Sequence, residues 1–273
     1  MKQRIKTPSE RRPNRMRRFF TSGAFYKVLA VLLALLLWQI VAMVISEQLI
    51  LVSPWRVLVR LTTIWREDGF FTRIFVTTLR IVGGFLVAFV FGTGLAALAA
   101  RFRLVETLLY PYIAVLRAVP VVTFIVLAYA GISYIGMRSG TISTLIAFLI
   151  VLPTVYTNLL AGFKAKDEKL EEMAKVFGIR PWRKLLFVRL PALAPYITSA
   201  VALGAGLAFK SGIAAELMSG VTDSVGGAMY YASLWLKNVD LYAWTVILLI
   251  VSVGFEKLTV GLLKLGFRRL WRI

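Results

Sequence analysis

Four charged residues stand inside apolar sequence: Arg80, Arg117, Lys210 and Glu216. A charge at the centre of a bilayer costs about 2.5–3.5 kcal/mol on insertion scales, so each must face protein, water or an interface. Arg117 and Lys210 would set a positive field along a route for an anionic solute. Alternatively, Lys210 and Glu216 pair with other helices or with another copy of the chain, and Arg80 snorkels to the outer interface. Lys210 and Glu216 do not share a helix face, so they are not partners of each other. Arg117, Pro120, Lys210, Ser211 and Glu216 form the candidate lining of a translocation path. The chain has no Cys and no His. That excludes thiolate and imidazole metal sites, disulfides and His-based acid–base chemistry, and no catalytic or metal-binding residue is predicted. Enzyme chemistry would have to rest on Glu216, Asp223 or Lys210, and no nucleophile–base spacing stands out among them.

The elements that position these charges are membrane helices. Of 273 residues, 59% are hydrophobic, yet 33 are Lys or Arg against 13 Asp or Glu. A soluble domain is about 45–50% apolar. High hydrophobicity and high charge coexist here because they are segregated along the chain. Crossing the hydrocarbon takes roughly 20 mostly apolar residues. Six stretches qualify, at about 25–45, 74–100, 109–131, 141–163, 192–218 and 240–260. The predicted fold is all-α and polytopic, with about six transmembrane helices. A basic cytoplasmic tail over 1–24 precedes a transmembrane domain over 25–273. The first apolar run exceeds a signal-peptide core and no A-x-A site follows it, so it reads as an uncleaved span.

Gly83, Gly84, Gly92 and Gly94 in the second stretch, and Gly204 and Gly206 in the fifth, would let helices approach closely in lipid. Pro120 falls inside the third stretch, and Pro153 interrupts the fourth. Residues 46–73 read as a loop carrying a short amphipathic helix, and 219–238 as a loop or a re-entrant segment. Tyr230, Tyr231 and Trp235 are outer-gate or interfacial-anchor residues.

Charge sets the orientation. If both ends are cytoplasmic, the inner segments hold the basic tail, Arg101 and Arg103, the cluster from Lys164 to Arg189, and the cations from Lys257 to Arg272. The outer segments hold Arg56, Arg60, Arg66, Arg73, Arg138 and Lys237, which makes 23 inner cations against 6 outer ones. That bias predicts an even number of spans with both termini inside. The net charge of +20 therefore reflects topology and not a nucleic-acid partner, because the cations flank apolar spans instead of sharing one polar face.

The longest charged interior segment is the loop over 164–190. Leu170, Met173, Ala174 and Phe177 recur at helical spacing and form one apolar stripe. Gly178 suits a left-handed helix cap, and Pro181 suits the first turn of a second helix bearing Trp182, Leu185 and Leu186 on one face. The loop thus reads as helix–Gly–helix. Its stripe would dock into a groove on a soluble partner or lie on the membrane surface.

Glu172-Met173-Ala174, then Gly178, then Val188-Arg189-Leu190-Pro191 resemble the EAA-xxx-G-x9-I-x-LP loop of ABC importer permeases, with Met173 and Val188 as mild departures. Val52-Ser53-Pro54, the segment from Thr78 to Phe85, Leu116-Arg117-Ala118-Val119-Pro120 and Ala214-Ala215-Glu216-Leu217 are similar to the nitrate/sulfonate/taurine-type branch of that family. The resemblance implies a type I importer permease in the bacterial plasma (inner) membrane. It implies a second permease copy, so a homodimer, together with two ATP-binding cassette ATPase subunits, an extracytoplasmic substrate-binding protein and surrounding lipid. ATP and Mg would sit on the partner ATPase, and this chain would bind no cofactor. By the same resemblance Leu170, Glu172, Met173, Ala174, Phe177 and Gly178 lie at the ATPase contact, and Leu190 and Pro191 set the return into the fifth span. The solute would be a small anion such as sulfonate, taurine or nitrate, or a vitamin precursor. The chain contains no G-x4-G-K-[ST] loop, so it is not itself the ATPase. A self-sufficient secondary transporter is the alternative; it would call for internal repeats, which the chain does not display.

Overall fold

A computed structural model describes residues 23–45, 47, 49–136, 140–165 and 167–271. The basic tail before Gly23, and Arg138, Lys166 and Arg272 from the orientation count, lie outside the described residues. The chain forms two units, one up to Val59 and one from Arg60 onward. In the first, α1 (Gly23–Ile45) is an apolar helix whose side chains are almost all exposed. Helix α2 (Pro54–Leu61) opens on a proline, whose missing N–H costs nothing in a first turn. The Trp55 N–H donates to the Gln39 Oε1 at 3.4 Å.

The second unit contains α3 (Phe70–Arg101), α4 (Arg103–Ala118), α5 (Val121–Tyr134), α6 (Thr141–Lys164), α7 (Glu168–Val176), α8 (Pro181–Lys184), α9 (Leu190–Ser219), α10 (Val225–Leu234) and α11 (Asn238–Trp271). Its centre is a packed trio, α3, α6 and α9. Ile81, Phe85 and Ala88 from α3 meet Val151 and Val155 from α6 and Ala205 and Phe209 from α9. Two glycines set how close the helices come. A Cβ on Gly92 would stand 3.0 Å from Val155, and one on Gly212 would stand 2.7 Å from the Ile81 Cγ1. Lipid competes for apolar side chains as well as protein does, so this close packing is what holds the trio together.

Five described helices are long and apolar enough to cross a membrane. The expected third span is different. It divides into α4 and α5, which meet at an angle of 99°. Val119 and Pro120 are both extended, with ψ of 130° and 137°. Proline drives the preceding residue out of the helical region, and Val119 is only partly buried, so packing opposes the break less than it does at Leu152 before Pro153. Counted as one crossing, the bent pair makes six spans.

Pro153 behaves oppositely, and the expected interruption of the fourth span is corrected. Helix α6 runs through it unbroken. Val151, Leu152, Pro153 and Val155 are buried between neighbours that hold the backbone helical. The stretch 219–238 is not irregular loop, because it holds α10. The Ser224 Oγ caps that helix by accepting the Gly227 N–H at 2.9 Å.

Candidate functional site

The loop over 164–190 begins where α6 ends. Asp167 caps α7, its Oδ1 accepting the N–H of Lys169 at 3.0 Å and of Leu170 at 3.4 Å. Glu168 and Glu171 in the first turn and Lys175 in the last complement the helix dipole. At the other end Gly178 takes φ +61°. Its N–H donates to the Lys175 carbonyl at 3.0 Å, and the Ile179 N–H donates to the Ala174 carbonyl at 3.0 Å. Those two bonds make a Schellman-like cap, which needs a residue that tolerates the left-handed region. A nine-residue helix is marginal alone in water, and both ends of this one are closed.

Glu171 ties α7 to the base of the fifth span. Its carboxylate accepts the Arg189 Nε at 2.8 Å and Nη2 at 3.3 Å, and lies 2.5 Å from the Lys184 Nζ. The hydrogen bonds from Arg189, then Lys184, hold the Glu171 carboxyl down to about 2. Beneath the loop is a cavity of about 240 Å³, walled by Ala97, Gly162, Leu185 and Ala192 and rimmed by Arg101 and Glu171.

The second helix of the loop is not separate from the fifth span, as the sequence had implied. Helix α8 passes through a wide turn at Leu185–Arg189, where the Leu190 N–H reaches back to the Leu185 carbonyl, directly into α9. Pro191 has no N–H to donate and its ring crowds the carbonyl four residues back, so a widened turn is the local accommodation. Helix α7 therefore sits against the base of a continuous helix that ends at Ser219.

The predicted stripe divides. Ala174 is buried, whereas Leu170 (41%), Met173 (44%) and Phe177 (75%) are exposed. Glu172 is exposed beside them, and Trp182 and Phe187 add to the same loop's exposed apolar surface. Leu190 and Pro191 are half-buried at the start of α9.

The sequence profile of the binding-protein-dependent transport system inner membrane component family matches residues 88–256, from the middle of α3 through α9 into α11. The chain belongs to this family. It is an ABC transporter permease, a multi-pass protein of the bacterial plasma membrane. It is 30% identical over 233 residues to the "Probable ABC transporter permease protein" of Haemophilus influenzae, covering 83% of this chain and 89% of that one. It is 28% identical over 250 residues to the taurine transport system permease protein of Escherichia coli, covering 89% and 86%.

In this permease the five candidate path residues do not form one lining. Glu216 and Ser211 are buried in helix packing. The Glu216 Oε2 accepts the Thr77 Oγ1–H at 2.8 Å and the Gly226 N–H at 3.3 Å, and Oε1 lies 3.6 Å from the Arg80 Nη1. Arg80 is thus a partner on α3, packed against Gly140, and not a snorkelling side chain. Ser211 donates to the Leu207 carbonyl at 2.8 Å. Arg117 and Lys210 are exposed and Pro120 is too, at the break between α4 and α5. Tyr230 (38%), Tyr231 (47%) and Trp235 (70%) lie on the exposed side of α10 and at its end.

Sequence reasoning missed Asp167, Glu171, Lys184 and Arg189 as the residues that make the loop rigid. Asp167 ahead of Glu168 was a readable cap signal. The Glu171–Arg189 pair spans 18 residues and has no local signature.

Proposed function

We propose that this permease subunit forms, with a second copy, the translocation path of an importer, and that α7 couples it to separate ATPase subunits. Two ATP-binding cassette subunits carry ATP and Mg, and an extracytoplasmic substrate-binding protein delivers the solute. The solute class is a small anion such as a sulfonate, taurine or nitrate, or a vitamin precursor; the taurine permease of Escherichia coli among the relatives favours the sulfonates. The chain's own part is mechanical, not catalytic.

The observation that carries the coupling role is a short helix closed at both ends, braced by Glu171 against the base of α9, with Leu170, Met173 and Phe177 left uncovered. A force applied to a loose loop is absorbed by its own bending. A force applied to α7 passes through the Glu171 clamp into α9. The exposed side chains give a soluble partner an apolar patch at helical spacing, and Glu172 supplies a charge at its edge.

The test is co-purification of the ATPase with wild type, Gly178→Asp and Glu172→Arg. Loss of the ATPase and of uptake in the variants, with normal membrane insertion, is the expected result. Wild-type assembly and uptake in both variants would end the coupling assignment.

A further inference from the structure

Helices α4 and α6 enclose an open groove of about 500 Å³. Three hydrogen-bond donors line it. Arg117, in the last turn of α4, is exposed and has no hydrogen-bond or ion-pair partner among the described residues. Tyr156, on α6, is only 3% exposed, yet its hydroxyl has no partner among them either. Tyr110 is 73% exposed on the α4 wall. The groove's carboxylate, Glu106, is engaged by Lys164 at 2.5 Å. The Thr157 hydroxyl is spent on the Pro153 carbonyl at 2.9 Å. Ile113 and Leu160 supply apolar wall.

Position makes the free guanidinium informative. Arg117 lies about 21 Å along α4 from Arg103, at a rise of about 1.5 Å per residue. It stands at the far end of α4 from the cytoplasmic cation cluster, next to the 99° bend into apolar α5. A guanidinium there does not face lipid, so its exposed side faces water or a ligand. The nearby carboxylate is neutralised, which leaves the groove with one uncompensated positive charge. The Tyr156 ring is buried while its hydroxyl stays open to the same groove and free to donate there.

We infer that the α4–α6 groove is a subsite for a small organic oxyanion, a sulfonate or carboxylate with a short apolar body. Arg117 receives two oxygens side by side, as a guanidinium fork does. Tyr156 donates to a third oxygen or to the same head, and Ile113 and Leu160 cover the alkyl part. The inference rests on the permease reading, and it assigns that path its anion-binding residues.

Phenylglyoxal labelling of the complete transporter in membrane vesicles tests it, with each arginine followed by peptide mass spectrometry. Arg117 is expected to react, and ethanesulfonate or propionate to slow that reaction at least fivefold against choline chloride of equal ionic strength. Dimethyl sulfone, the uncharged control, is expected to give no protection, and Arg66 in the outer loop to react equally throughout. Tyr156→Phe is expected to raise the ethanesulfonate concentration for half-protection at least threefold. An unreactive Arg117, equal protection by dimethyl sulfone, or protection unchanged in Tyr156→Phe would overturn the subsite. Co-purified ATPase is measured on the same vesicles. ATPase bound without Arg117 protection removes the subsite and leaves the coupling role; protection without bound ATPase does the reverse.

Discussion

The carboxylate of Glu171 grips the guanidinium of Arg189 through two nitrogens, Nε at 2.8 Å and Nη2 at 3.3 Å, across the turn made by Gly178. It converts two short helices and a glycine into one brace at the base of α9. Glu172, the motif residue beside it, is exposed. Adjacent glutamates therefore differ in role, one holding the helix and one turned to solvent.

Removing the brace is predicted to loosen α7 without unfolding the chain. Glu171→Gln should cost on the order of 1 kcal/mol locally, the upper range for partly exposed pairs. Amide exchange across 168–178 in the detergent-solubilised transporter should rise several-fold. Uptake should fall while the basal ATPase activity of the bound partner persists. Unchanged exchange would show that the caps alone suffice.

The same pair sets a pH dependence. The Glu171 pKa is lowered from 4.5 to about 2 in the folded chain. A lowered carboxylate pKa contributes stability that is fully present above the unfolded value and is lost as pH falls towards the folded one. A spin-label pair on α7 and the segment after Lys184 should keep a narrow distance distribution from pH 7 to about 4.5 and broaden on approach to about 2. Glu171→Gln should be broad throughout.

Gly178 should rank substitutions by their tolerance of positive φ. The left-handed conformation costs a residue with Cβ about 1–2 kcal/mol, and least for Asn. Gly178→Asn is expected to retain more ATPase than Gly178→Val, with Gly178→Asp below Gly178→Asn because a negative charge there meets the unfavourable end of the helix dipole. Co-purified ATPase per permease, read by densitometry, checks the order.

Glu216 is predicted to be a stability residue. Its side chain is fully buried and faces Arg80, Thr77 and Gly226. Breaking a buried pair by deleting one partner costs about 3–5 kcal/mol. Glu216→Ala should lower the melting temperature of the purified chain sharply, and Glu216→Gln less, because an amide oxygen still accepts from Thr77 and Gly226. Melting unchanged in Glu216→Ala would point away from a structural role.

Gly212 should not accept bulk. A Cβ there meets the Ile81 Cγ1 at 2.7 Å, and overpacking a core costs about 1–3 kcal/mol. Gly212→Val is expected to reduce yield and thermal stability, and Ile81→Ala to restore part of the loss. No restoration would mean that the strain lies elsewhere.

The sequence by itself determined the all-α, polytopic character of the chain and the capped helix ahead of Gly178, because apolar runs and cap residues act over a few neighbouring positions. Gly178 and Pro181 were legible for that reason: each restricts its own backbone. Tertiary structure alone decided that Pro120 separates α4 from α5 while Pro153 leaves α6 whole, since packing around buried Leu152 holds a helix that half-buried Val119 lets go. It also decided that Glu216 meets Thr77, 139 residues away, and that Glu171 meets Arg189. A buried or clamped charge takes whichever counterpart the fold brings to it, and that choice is made by the approach of helices, not by spacing along the chain.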